Sequence, residues 1–132
     1  MSPIARILAV SAAALAVCAC QKDPYPAPVD AGVCYQAIFL KKNGALTGVK
    51  FNKLSEHEPT IEKCAASLEG MRLRFLPMGG AEEIVGTYQG NYIFLIKEGI
   101  FRADKLDGPR YPMLVRLGNG QLGQPGSLPQ TQ

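Results

Sequence analysis

An apolar run from Ile7 to Val17 follows Arg6 and closes in Val17-Cys18-Ala19-Cys20, after which the chain turns polar at once with Gln21, Lys22 and Asp23. A short positive region, an apolar segment of this length and a small residue before the break form the pattern of a removable export signal. The stretch from Ile7 to Cys20 falls short of the roughly 20 apolar residues that a membrane-spanning helix needs, so no permanent span is expected from it. Cleavage there leaves about 110 residues, enough for one small domain and not two. It also places the later cysteines in a compartment where thiols oxidise.

The residues at the break resemble the lipobox of bacterial lipoprotein precursors, in which cleavage exposes an amino-terminal cysteine that carries acyl chains. Two cysteines are on offer. Ala19 supplies the small residue before Cys20 and Val17 the aliphatic residue three positions before it, whereas a cut before Cys18 would follow bulky Val17. Cys20 is therefore the better fit, and Cys18 is the departure, standing where Ala, Ser or Thr is usual. The resemblance implies a signal peptide over residues 1–19, palmitate-like acylation at Cys20 and a membrane held through lipid. One acyl chain gives only marginal attachment, and lipobox cysteines carry more than one. Gln21, in place of an Asp after the lipidated cysteine, implies release to the outer membrane on its periplasmic face.

Charge narrows the partners. Removing residues 1–19 takes away Arg6 alone, so the formal net charge falls by one, from +3 to +2. Nucleic-acid binders show a strong, clustered basic excess, and no nucleic acid is expected as a partner. The absence of Trp fits a small β-rich core better than a large ligand cavity.

In an oxidising compartment the isolated pair Cys34 and Cys64 is most simply one disulfide. Redox-active pairs usually stand two residues apart with a depressed thiolate pKa, which this pair does not resemble. Cys34 opens a strand-like run and Cys64 falls in a helical one, so the bridge would pin helix to sheet. Closing a loop of about 30 residues removes denatured-state entropy equivalent to roughly 3–4 kcal/mol in the chain-entropy account.

Residues 20–32, with Pro24, Pro26 and Pro28, read as an extended tether, and residues 119–132, with their Gly, Pro and Gln, as a flexible tail. Between them, residues 33–118 form the domain. Cys34 to Leu40, Val49 to Leu54, Ile84 to Tyr88, Tyr92 to Lys97, Ile100 to Ala103 and Leu114 to Leu117 read as strands, and Met71, Leu73 and Phe75 alternate with Arg72 and Arg74 as a half-buried strand would. Ile61 to Glu69 reads as a short helix, with Thr60 as N-cap, Glu62 in its first turn and Gly70 just past its end. Tyr92 to Ile96 is apolar on both faces, which marks a central strand. Gln89-Gly90-Asn91 and Lys97-Glu98-Gly99 are hairpin turns, and Tyr88 and Tyr92 are expected to pack across the first of them. The expectation is an α+β fold: a small, mostly antiparallel sheet of about six strands, one short helix packed on it, and one disulfide.

Chemistry is sparse. Glu56-His57-Glu58 holds residue types that bind metals and move protons, yet three adjacent loop residues converge poorly on one ion, and His57 is the only histidine. Met78-Gly79-Gly80-Ala81 lacks the spacing and the Lys of a phosphate loop. Glu82-Glu83, read as strand neighbours, point to opposite faces. No catalytic set, metal or cofactor is expected, and the protein reads as not an enzyme. One candidate site is basic: Arg72, Arg74, Arg102, Arg110 and Arg116, if they converge, would form a stripe for an anionic headgroup or an acidic partner. The ordinary alternative is a charged outer face neutralised by Glu62, Glu69, Glu82 and Glu98.

The run from Cys64 to Leu76, with Gly86-Thr87-Tyr88-Gln89-Gly90, resembles small envelope lipoproteins of Gram-negative bacteria. The resemblance implies one exported domain and no particular activity. The expected role is a non-catalytic binding or assembly factor of an envelope complex, with an envelope protein as partner. The alternative is an inhibitor or protector of a cell-envelope enzyme, in which the loop Leu54 to Thr60 plugs a cleft.

Overall fold

The computed structural model describes residues 22–127, in which runs with alternating apolar residues form strands. Cys20 and the 1–19 segment lie outside the described residues. Seven strands form one sheet: β1 (Cys34–Lys42), β2 (Ala45–Ser55), β3 (Ile84–Tyr88), β4 (Asn91–Ile96), β5 (Gly99–Ala103), β6 (Tyr111–Arg116) and β7 (Leu122–Gly123). Their spatial order is β2-β1-β3-β4-β5-β6-β7, and each neighbouring pair is antiparallel. One helix, α1 (Ile61–Phe75), connects β2 to β3, and a 3₁₀ turn over Leu76–Met78 follows it. The fold is α+β, as the patterning requires.

Helix α1 starts where expected and ends later. The Thr60 hydroxyl accepts a hydrogen bond from the Lys63 N–H at 3.2 Å, satisfying one of the unpaired donors of the first turn. The helix then passes through Gly70, and the segment Met71 to Phe75, expected as a strand, is its last turns. The apolar face explains why. Ile61, Cys64, Ala65, Leu68 and Met71 all pack into the core on the helix side of the sheet, and they recur at helical spacing. The alternate residues Leu73 and Phe75 remain 44 % and 48 % exposed, so of the two-residue period at Met71, Leu73 and Phe75 only Met71 reaches the core. The left-handed Gly79, at φ 84°, ends the 3₁₀ turn.

Strand β4 lies at the middle of the sheet, and its successive residues feed two cores. Ile93 and Leu95 face the helix side, with Cys34, Cys64, Leu68, Ile100 and Leu114. Tyr92 and Phe94 face the other side, with Ala27, Ala37 and Ala103. The turn between β3 and β4 is two residues, Gln89 and Gly90, both at positive φ, the geometry of a tight hairpin. Tyr88 therefore pairs with Asn91, and Thr87 with Tyr92. The tyrosines expected to pack on each other lie on opposite faces.

The Pro-rich segment expected as a free tether is bound to the sheet on the side away from the helix. Ala27 is buried. The Tyr92 hydroxyl donates to the Tyr25 carbonyl at 2.6 Å, the Tyr25 hydroxyl donates to the Leu46 carbonyl at 3.3 Å, and the Gly90 N–H donates to the Pro28 carbonyl at 2.8 Å. Prolines lack donors but keep carbonyls, so the segment is held through the Pro28 and Tyr25 carbonyls, which accept from the sheet, and through the Tyr25 hydroxyl, which donates to it. At the other end, β7 falls within the residues expected as tail and pairs with β6.

Candidate functional site

The helix side of the sheet is closed by three clasps. Cys34 and Cys64 form a disulfide, both residues are fully buried, and their Cα atoms are 5.4 Å apart. It joins β1 to α1, as the sequence implied. One turn further along the helix, Gly86 of β3 lets α1 approach closely. A Cβ there would stand 2.3 Å from a methyl carbon of Leu68 and 2.8 Å from the Tyr35 carbonyl oxygen, distances that no side chain accommodates without movement.

The third clasp is ionic. The buried Glu69 carboxylate accepts from Arg72 Nη2 at 2.6 Å and Nε at 3.1 Å, and from Arg116 Nε at 2.8 Å and Nη2 at 3.0 Å. Arg116 also donates to the Ile96 carbonyl at 2.6 Å, and Arg72 to the Glu82 carbonyl at 3.2 Å. Burial opposes ionisation of Glu69, but the hydrogen bonds from Arg116 and then Arg72 outweigh it and hold the carboxyl at about 2. The helix and strand β6 are thereby fastened together.

These placements dissolve the expected basic stripe. Arg72 and Arg116 are engaged with Glu69. Arg74 stands exposed on the helix, two residues and about 200° around from Arg72, beside a shallow groove lined by Leu54, Ser67 and Met71. Arg102 is exposed on β5, opposite Ile93. Arg110 lies on the other face of the sheet, its guanidinium 3.8 Å from the centre of the Phe94 ring. The five arginines do not converge on one anion. The sequence placed Arg72 and Arg74 on a strand, where they would share a face; in a helix they diverge.

Glu56-His57-Glu58 is a structural loop. Glu58 accepts from the Ser55 hydroxyl at 2.8 Å and the Ser67 hydroxyl at 3.0 Å, its N–H donates to the Gly32 carbonyl at 2.9 Å, and its own carbonyl accepts from the Tyr88 hydroxyl at 2.6 Å. Glu58 thus ties the loop to the helix, to β3 and to the chain before β1. His57 is exposed beside it, at φ 57°. Among the described residues, no group of three or more His, Cys, Asp or Glu side chains is placed to hold a metal ion.

One concavity was not expected. The face of the sheet away from the helix carries a groove of about 580 Å³, with Ala37 and Phe39 of β1, Val85 of β3, and Phe94 and Ile96 of β4 among its lining residues. Leu46, Leu106 and Arg110 border it. This volume and apolar lining match the usual dimensions of small-molecule sites. The missed signal was present in β4: a strand apolar on both faces requires cover on both, and α1 supplies only one. The Pro-rich segment covers part of the second face, and the remainder is the groove.

Among the described residues no helix is long and apolar enough to cross a membrane. No known protein family matches the chain, and no curated protein and no solved structure is significantly similar to it.

Proposed function

We propose that the protein is a lipoprotein of the bacterial envelope, cleaved before Cys20, anchored by acyl chains on that residue and held at the periplasmic face of the outer membrane. There it serves as a non-catalytic binding or assembly factor for an envelope protein complex. The observation that carries this reading is the buried Cys34–Cys64 disulfide downstream of the Arg6-to-Cys20 pattern. A structural disulfide at the heart of a domain this small belongs in an oxidising compartment, which is where the amino-terminal pattern directs the chain. A binding role fits a domain whose polar residues, Glu58 and Glu69 among them, are engaged in holding the fold together. Because the segment from Tyr25 to Pro28 is fastened to the sheet, a lipid on Cys20 would hold the domain near the membrane surface rather than at the end of a long spacer.

Fractionation of cells carrying the wild type or Cys20→Ala tests the anchor. The wild type is expected in outer-membrane fractions and the variant outside them; equal recovery of both from membranes would refute lipid attachment at Cys20. Affinity recovery from cross-linked envelopes tests the binding role, which predicts a specific protein captured by the wild type and lost when the domain is reduced and unfolded.

A further inference from the structure

We propose that the groove on the sheet face away from the helix binds the acyl chain of a fatty acid, with Arg110 receiving its carboxylate. This goes beyond the envelope role above and does not require the Cys20 anchor. The groove has the two chemistries such a ligand needs. Its floor is hydrocarbon and aromatic: Ala37, Phe39, Val85, Phe94 and Ile96, drawn from three adjacent strands. Apolar area of this kind, continuous with a buried core, gains from any hydrocarbon that displaces water from it.

The border supplies the charge. Arg110 is exposed and makes no hydrogen bond or salt bridge to any described side chain; it rests on the Phe94 ring at 3.8 Å. That contact fixes the guanidinium at the mouth of the groove while leaving its donors free to meet a carboxylate in a bidentate manner. Lys41 also borders the groove, and Glu83 is the carboxylate among the lining residues; neither has an ion-pair partner among the described residues. The border therefore carries a cationic excess of one. Arg72 and Arg116 show the contrast, since Glu69 already occupies both. Of the five arginines expected to form one anion site, Arg74 also stands beside a groove, but Ser55, Ser67 and Gly70 make up much of that lining, whereas the groove beside Arg110 is floored by hydrocarbon and aromatic side chains.

The test uses the full-length protein with its disulfide intact and palmitic acid bearing a photoreactive diazirine at the far end of the chain, below its micelle-forming concentration. After irradiation, labelled peptides are mapped by mass spectrometry. The label is expected on the strands carrying Phe39, Val85 and Ile96, to be displaced by unlabelled palmitate, and to fall about tenfold in R110Q, the loss of one charge-assisted contact. Arg110 is exposed, so this substitution leaves the fold in place, and an unchanged melting curve verifies that. Label spread equally over the exposed helix residues Leu73 and Phe75, or labelling unchanged in R110Q, would overturn the proposal. Equal displacement by the uncharged alcohol of the same chain length would overturn the role given to Arg110. Labelling that appears only in C20S would assign the groove to the protein's own anchor and overturn a free ligand. A negative result in these arms leaves the membrane fractionation of C20A unaffected, so the two readings fail separately.

Discussion

On the helix side of the sheet, a disulfide, an Arg-Glu-Arg cluster and a glycine-permitted close approach fix α1 against β1, β3 and β6. On the other side, the cover is a proline-rich strap held by the Tyr92 hydroxyl and the Gly90 N–H on its carbonyls and by its own Tyr25 hydroxyl on the Leu46 carbonyl, and it leaves a groove open. The first face is closed by a covalent bond and by buried charge; the second is closed by a few neutral hydrogen bonds, each worth about 1 kcal/mol net. The strongest closures are thus on the helix side, and the larger apolar groove lies where the cover is held by neutral hydrogen bonds. Parts of a protein that meet ligands are generally drawn from its less stable regions.

That contrast can be broken most severely at the disulfide. The double substitution Cys34→Ala and Cys64→Ala is expected to lower unfolding free energy by roughly 3–4 kcal/mol, a large share of a small domain's total. Denaturant unfolding of the oxidised wild type and the variant measures it; a loss below about 1 kcal/mol would place the closure of this face elsewhere.

Removing the charge between the two guanidiniums comes next. Glu69→Gln leaves Arg72 and Arg116 facing each other without a counter-charge and is expected to cost about 3 kcal/mol. It also alters the pH profile. The Glu69 carboxyl is held at about 2 when folded against an ordinary value of 4.5, so its contribution is complete above pH 4.5 and is lost as pH falls toward 2. The wild type is expected to lose stability through that window more steeply than Glu69→Gln, as thermal unfolding across pH 2 to 5 would report.

Gly86→Ala forces a methyl group toward Leu68 and the Tyr35 carbonyl, and overpacking of this kind costs about 2 kcal/mol. Circular dichroism melting is expected to show the loss without a change in secondary structure. The smallest effect belongs to the strap: Tyr92→Phe removes the donor to the Tyr25 carbonyl and should cost about 1 kcal/mol. Hydrogen exchange sharpens the comparison here, because faster exchange is expected on this face, at the Gly90 amide that bonds Pro28, and not in the helix.

How far the sequence reveals these two faces follows the same division. Thr60 and Glu62 marked the start of α1, the apolar run Tyr92 to Ile96 marked the central strand, and the pairing of Cys34 with Cys64 followed from compartment and spacing; each is a local signal with one physical meaning. The end of α1 carried two conflicting ones. Gly70 looked like a helix stop and Met71, Leu73 and Phe75 like a strand, yet Gly inside a helix costs only about 1 kcal/mol, less than packing Met71 and forming the Glu69 cluster provide. A strand over Met71 to Phe75 would also put Arg72 and Arg74 on one face, whereas in α1 they diverge. At the hairpin, starting β4 at Tyr92 instead of Asn91 shifted the pairing by one residue and put Tyr88 and Tyr92 together; in a two-residue period a slip of one moves a side chain to the opposite face. The docking of the Pro-rich segment had no local signal, because it depends on tyrosine hydroxyls distant in the chain meeting backbone carbonyls.

Intact mass of the protein extracted from membranes, taken before and after reduction, bears most directly on the envelope reading. The expected species begins at Cys20, exceeds the mass of residues 20–132 by its acyl groups, and gains two hydrogens on reduction of the Cys34–Cys64 bond. The unprocessed 132-residue chain, or a mature species without added lipid, would contradict it.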